Sequence, residues 1–209
     1  LNKLPMRGRI VIGEGERDDA PMLFIGEEVG NGDGPEIDIA VDPLEATTLC
    51  AKAMHNSLAV VGIAEGGTLL HAPDIYMEKI AIGPGYPEGL IDLDNSPTEN
   101  LNRVAEVRGV AVSDLSVCIL DRPRHARLIE EVRNAGAAIR LILDGDIAGV
   151  IHTVDAAETG IDIYMGIGGA PEGVLAASAL RCIAGSSRTE KRVRSRPARR
   201  TISSATTIM

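Results

Sequence analysis

Aromatic side chains are nearly missing from this 209-residue chain: they make up 2% of it, with no Trp and a single Phe. Any core must therefore be aliphatic, and the 44% apolar fraction is large enough to build one. Long apolar runs are missing too. None reaches the roughly 18 residues that a membrane-spanning helix requires, so no such span and no membrane partner is expected. No secretory signal pattern is visible. Cysteine is scarce: Cys50, Cys118 and Cys182 have no metal-site spacing. Cys118 and Cys182 lie in apolar runs and are expected to be buried thiols, which points to a reducing cytoplasm. Positive charge is in deficit, with 21 Lys and Arg against 30 Asp and Glu, for a net charge of −9. That balance argues against nucleic acid as the main partner. An anionic substrate would need metal ions or a local basic patch.

What is present reads as an α/β protein. "GRIVIGEGE" predicts a strand entering a glycine turn. "DDAPMLFIGEEVGNG" predicts a helix capped by Asp18 or Asp19, with Pro21 in its first turn and Gly30 past its end. "EIDIAV" alternates, placing Ile37, Ile39 and Val41 on one face. "NSLAVVGIAEGGTLLHAP" predicts two strands about a Glu-Gly-Gly turn, and "YMEKIAIG" another strand. "SPTENLNRVAEVRG" predicts a helix with Ser96 as cap, Pro97 early and Gly109 at its end. "SVCILDRPRHARLIEEVRNAGAAIRLILDGD" predicts a βαβ unit with parallel strands. "IDIYMGIGGAPEGVLAASALRCIAG" predicts a strand, a glycine loop and a helix opened by Pro171. The change to βαβ near residue 112 predicts two units, 1–112 and 113–185. Residues 186–209 carry seven Lys and Arg against one Glu, and read as a disordered or non-native basic tail.

Acids collect where strands are predicted to stop: Glu14 and Glu16 in "GEGE", Asp42 and Glu45 in "DPLEATT", Asp144 and Asp146 in "DGD", and Glu172 in "GAPEG". Oxygen donors of this kind suit Mg²⁺ and Mn²⁺, although isolated loop acids are simply solvated. Pro43 stiffens the Asp42–Glu45 turn. Thr47 and Thr48 place hydroxyls within a turn of those acids. They could orient an attacking water or merely cap a helix. Glu172 falls in the first turn of a helix, beside a glycine loop whose spacing matches neither a P-loop nor a dinucleotide fingerprint. Arg122, Arg124 and His125 in "DRPRH" follow a predicted strand, and guanidinium groups there suit phosphate. Tyr76 could be core or could hydrogen-bond a ligand.

In order and spacing, "GRIVIGEGERDDAPMLFIGEEVG", "IDIAVDPLEATTL", "APDIYMEK", "RPRH", "DGD" and "GIGGAPEGV" resemble the bacterial, class II fructose-1,6-bisphosphatases over residues 8 to about 185. "DPLEATT" is also similar to the Asp-Pro-x-Asp-Gly-Thr signature of the inositol-monophosphatase-like phosphatases, with Glu45 in place of the second Asp. The resemblance implies a layered sugar-phosphatase fold of alternating α and β layers. It implies hydrolysis of the 1-phosphate of fructose 1,6-bisphosphate in gluconeogenesis, with Mn²⁺ or Mg²⁺ as cofactor. By the same resemblance, Glu14, Asp42, Glu45 and Glu172 would be metal ligands. Glu45, Ala46 and Thr47 would border the phosphate, with Thr47 positioning the water. Tyr76, Arg122, Pro123, Arg124, Asp144, Gly145, Asp146 and Gly169 would contact the sugar bisphosphate. The full-length family implies a homo-oligomer.

Three departures qualify the expectation. The family has Gly where this chain has Ala46, and a positive φ there would cost ~1–2 kcal/mol. The family's first helix, with a Lys and a metal-binding Asp, precedes the "GRIVIGEGE" segment, and the family continues well past "LRCIAG". The expectation is therefore a fragment incomplete at both ends, with little activity by itself. Three alternatives stand beside it: activity on sedoheptulose 1,7-bisphosphate as well, a non-catalytic fragment that binds metal or sugar phosphate, and nucleic-acid binding by the tail.

Overall fold

The computed structural model describes residues 1–14, 21–183 and 193–197. Two sheets carry the described chain. The first has the order β2-β1-β3-β4, built from β1 (Arg7–Ile12), β2 (Glu28–Val29), β3 (Glu36–Glu45) and β4 (Leu58–Glu65). β1 and β3 are parallel, whereas β2 and β4 run antiparallel to their neighbours. The second has the order β7-β6-β8-β5-β9, from β5 (Tyr76–Ile82), β6 (Ser116–Leu120), β7 (Ala138–Ile142), β8 (Ile163–Gly169) and β9 (Val193–Pro197). β6, β7 and β8 are parallel, and β5 runs against both of its neighbours, β8 and β9.

Helices separate and cover these sheets. The long α6 (Ala170–Ile183) contacts β3 and β4 on one side and β5 and β8 on the other, with α4 (Asp146–Ile151) beside it. Ala40, Cys118, Ile147, Tyr164 and Leu175 fill this middle layer. On the far face of the second sheet lie α2 (Pro97–Arg108) and α3 (Ala126–Ala135). There Leu101, Val104 and Val132 meet Ile80, Val117, Ile119 and Ile163. The short α1 (Thr47–Ala51) and α5 (Ala156–Thr159) complete the α-helices among the described residues. This is a layered α/β fold with an aliphatic core, as the composition requires.

The expected βαβ unit is β6-α3-β7, closed by Gly136 in the left-handed conformation at φ 94. α2 begins at the expected Ser96 cap and ends at Gly109. Other expectations need correction. The described part of the predicted 18–29 helix, residues 21–29, forms bends, a turn and β2 rather than a helix. Gly13 explains part of this, since a Cβ there would collide with the Leu23 carbonyl as the chain returns along β1. Only one strand flanks the Glu65-Gly66-Gly67 turn, because residues 68–75 form no strand. "GIGG" is not a loop: Gly168 and Gly169 pair with Met77 and Tyr76, and α6 follows at once. Cys182 is exposed, and Cys118 is buried as expected. Of the basic end from 186 onward, only 193–197 is described, and it forms β9. There Arg196 bonds to Glu78 at 2.6 Å and to Asp94.

β3 does not stop at Asp42. Asp42 pairs with Val60 and Glu45 with Leu58, so β3 holds one residue more than β4 between those points and bulges. Pro43, which has no N–H to give, sits in that bulge. β5, from before residue 112, lies in the second sheet beside β8.

Candidate active site

The parallel strands aim their carboxyl ends at one place, and ligands of open α/β sheets gather there. Asp42 and Glu45 come from the end of β3. Asp144 and Asp146 follow β7, and Glu172 follows β8. Arg122 and Arg124 follow β6, and Tyr76 opens β5, which is antiparallel to β8 and so begins at the same end. Glu14 lies two residues beyond Ile12, whose partner Ala40 is two residues before Asp42.

Two turns of one shape lock the sheets together here. Ala46 precedes α1 at φ 64, ψ 53, and Gly145 precedes α4 at φ 86, ψ 64. Neither caps its own helix with a side chain. The residue before each turn caps the other helix instead. Glu45 Oε1 accepts from Ile147 N at 3.1 Å, and Asp144 Oδ2 accepts from Thr48 N at 3.2 Å. The turns touch closely enough that a Cβ on Gly145 would lie 3.2 Å from both the Ala46 Cβ and Glu45 Oε2. Ala46 thus holds the left-handed conformation that glycine favours. Thr47 and Thr48 are exposed at the start of α1.

Asp146 is the centre of the electrostatics. Its carboxylate accepts a hydrogen bond from Lys79 Nζ at 2.5 Å, with both side chains buried. The glycines of β8 leave room for it. A Cβ on Gly168 would collide with Asp146 Oδ2, and one on Gly169 with the Glu172 carboxylate. Burial pushes the Glu45 carboxyl up to about 8, with the Asp146, Asp42 and Asp144 charges adding to it. Burial first, then the charge of Asp146, also raises Glu172. Asp42 is raised by burial and by Asp146 and Asp144, against the pull of the Leu44 N–H. Glu45 Oε2 and Glu172 Oε2 are buried with no hydrogen-bond partner.

Such atoms are costly unless something positive faces them. Their hard oxygen chemistry fits a divalent cation. Among the described residues, no three His, Cys, Asp or Glu side chains are drawn into a group that could hold a metal ion unaided. What links the acids is charge: Asp146 raises Glu45, Glu172 and Asp42 alike, after burial has done so first.

The basic segment is more engaged than its sequence implied. Arg124 gives Nε and Nη2 to the Ile167 carbonyl at 3.0 and 2.9 Å, and its guanidinium lies 4.9 Å from the Tyr76 ring centroid. Tyr76 is therefore a half-exposed platform rather than core. Arg122 faces Asp144 at 3.5 Å, and Pro123 opens the short 3-10 turn that carries Arg124 and His125. Sequence reasoning missed Lys79 and the reciprocal caps. A lysine inside "YMEKIAI" was the available signal, since an apolar strand buries a cation only beside an anion. The caps join residues about a hundred positions apart and left no local trace.

The fold is a layered α/β fold with carboxylates gathered where its strands end. A family model described as bacterial fructose-1,6-bisphosphatase, glpX-encoded, matches residues 1–207. The chain is 52% identical over 185 residues to a D-fructose 1,6-bisphosphatase class 2/sedoheptulose 1,7-bisphosphatase of Synechococcus sp. (strain RCC307), covering 88% of this chain and 55% of that one. A protein of the same description from Synechococcus sp. (strain JA-3-3Ab) is 53% identical over 195 residues, covering 88% and 56%. The chain belongs to the bacterial, class II fructose-1,6-bisphosphatase family, and it spans about half the length of the curated relatives it matches.

Proposed function

We propose that this chain forms the carboxylate and sugar-phosphate cleft of a divalent-cation-dependent bisphosphatase, a phosphoric monoester hydrolase acting on the 1-phosphate of fructose 1,6-bisphosphate. The observation that carries this reading is the pair of buried, unpartnered carboxylate oxygens of Glu45 and Glu172, set around Asp146 at the carboxyl ends of the strands. Glu14, Asp42, Glu45 and Glu172 are the proposed ligands of Mn²⁺ or Mg²⁺. Bound there, the cation supplies Lewis acidity and a water of lowered pKa.

The chain's own residues do the rest. Glu45 keeps Oε1 on the α4 backbone, which leaves Oε2 as its buried, unpartnered oxygen. Thr47, exposed beside it, is placed to orient the water, and Ala46 borders the phosphate. Gly145 and Gly169 let backbone approach the ligand, while Asp144 and Asp146 meet sugar hydroxyls. Tyr76, Arg122, Pro123 and Arg124 form the wall for the phosphate that is retained. Water and the phosphoester give fructose 6-phosphate and inorganic phosphate. The relatives' names support sedoheptulose 1,7-bisphosphate as a second substrate.

Titration calorimetry with fructose 1,6-bisphosphate, with and without Mn²⁺, tests this, together with release of inorganic phosphate. Binding that needs Mn²⁺ and is lost in Glu45→Gln is expected. Binding indifferent to Mn²⁺, or unchanged in Glu45→Gln, overturns the reading.

A further inference from the structure

We propose that His125 is a positioning residue of this cleft: it secures the open edge of β8 and so fixes the Arg124–Tyr76 wall against which the non-reacting end of a sugar bisphosphate lies. The inference rests on the function proposed above, and its structural basis is a split in the second sheet. β6 and β8 pair at Val117↔Ile163 and Cys118↔Tyr164, and not beyond. β6 stays with β7 as far as Leu120↔Ile142, while β8 stays with β5 as far as Gly169↔Tyr76. Past Tyr164, the β6 side of β8 has lost its neighbouring strand. Backbone groups stranded there need other partners.

Side chains of the "RPRH" segment take the place of that strand. Ile167 donates its N–H to His125 Nε2 at 2.7 Å, and its carbonyl accepts from Arg124 Nε and Nη2. The other ring nitrogen, Nδ1, lies 2.7 Å from the Leu120 carbonyl at the end of β6. A carbonyl can only accept, so Nδ1 carries the proton and Nε2 is left as the acceptor that Ile167 needs. The imidazole is buried at 1% exposure and spans the two diverging strands. A Cβ on Gly166 would lie 3.5 Å from the ring and 3.2 Å from the Tyr164 hydroxyl, so the ring has little space to shift.

Arg124 depends on this arrangement. Two of its nitrogens are committed to the Ile167 carbonyl, which sets the guanidinium plane over the exposed Tyr76 ring. Nη1 is not used in those bonds and is the natural donor to a phosphate. If Ile167 moves, the guanidinium and its stacking partner separate. His125 itself reaches no ligand.

His125→Phe keeps a ring of similar size and removes both hydrogen bonds. His125→Gln restores an acceptor. The expected result is a roughly tenfold weaker affinity for fructose 1,6-bisphosphate in His125→Phe, with Mn²⁺ affinity measured alone unchanged within about twofold, and partial recovery in His125→Gln. Amide hydrogen exchange gives an independent reading. The Ile167 amide should exchange at least about tenfold faster in His125→Phe, while the β6–β7 amides keep their protection. An unchanged Ile167 amide, or losses of bisphosphate and Mn²⁺ affinity in equal measure, overturns this inference and leaves the proposed function standing. A parent chain that binds no bisphosphate overturns both.

Discussion

The α2 end of the molecule and the carboxylate cleft both close helix termini with acidic side chains, but over very different distances along the chain. At α2, Ser96 Oγ accepts from Glu99 N, and Glu99 Oε2 accepts from Ser96 N at 2.7 Å. Everything needed lies within four residues. In the cleft, α1 and α4 exchange caps across two sheets, through Asp144 and Glu45. The α2 end also buries an aliphatic cluster, whereas the cleft buries one cation, Lys79, amid several acids and leaves two carboxylate oxygens without partners. One region is settled by local chemistry. The other holds unfavourable charge in place through contacts from the whole fold, the pattern expected where a protein gives up stability for a site.

That contrast can be broken experimentally. The largest effect belongs to Lys79→Met, which strands the buried Asp146 charge and should cost about 3–5 kcal/mol in urea unfolding. Adding Asp146→Leu to it should recover much of that loss, and no recovery would show that the pair is not the cause. Leu101→Ala, in the fully buried α2 core, should cost about 2–5 kcal/mol and leave Mn²⁺ affinity untouched. A simultaneous loss of Mn²⁺ affinity would mean that the two regions are not separable.

A smaller change has the opposite sign. Ala46→Gly relieves a left-handed alanine at φ 64. The relief of ~1–2 kcal/mol is offset in part by the greater freedom of glycine in the unfolded chain, so a gain of about 1 kcal/mol is expected. Destabilisation would show that the methyl group packs usefully against Gly145.

A further effect follows from acid. Burial holds His125 below the usual histidine range, and the charges of Arg124 and Arg122 add to this while the Leu120 carbonyl opposes it. The Tyr164 hydroxyl lies on the Gly166 side of the ring. Below about pH 6.5 the unfolded chain binds a proton that the folded chain resists. Stability should therefore fall as pH drops through that window, by at most about 1.4 kcal/mol per pH unit from this group, and be flat above it. The same slope in His125→Phe would assign the loss to other groups.

How much was legible in the sequence follows the same division. α2, α3 and the β6-α3-β7 unit could be read because their caps, closing glycines and apolar periodicity lie within a few residues. The acids of the cleft could be picked out by their places after strands, and the resemblance supplied their proposed roles. Their partners could not. Whether Arg124 faces a ligand or the Ile167 carbonyl depends on where β6 and β8 separate. Whether "GIGG" loops or extends depends on its register with β5, and on the two carboxylates that need its missing side chains. The 21–29 segment misled because Pro21 and Gly30 imitate helix ends, whereas contact with β1 decides its course.

The proposed function requires that a divalent cation relieve the buried, unpartnered carboxylates of the cleft. Thermal unfolding of the chain with increasing Mn²⁺, beside Glu45→Gln and Glu172→Gln, tests it most directly. A ligand that binds only the folded state at a hundred times its Kd adds about 2.7 kcal/mol. The melting temperature should rise with Mn²⁺ in the parent chain and stay nearly flat in both variants. A parent chain whose melting temperature ignores millimolar Mn²⁺, or variants that rise in step with it, would contradict the claim.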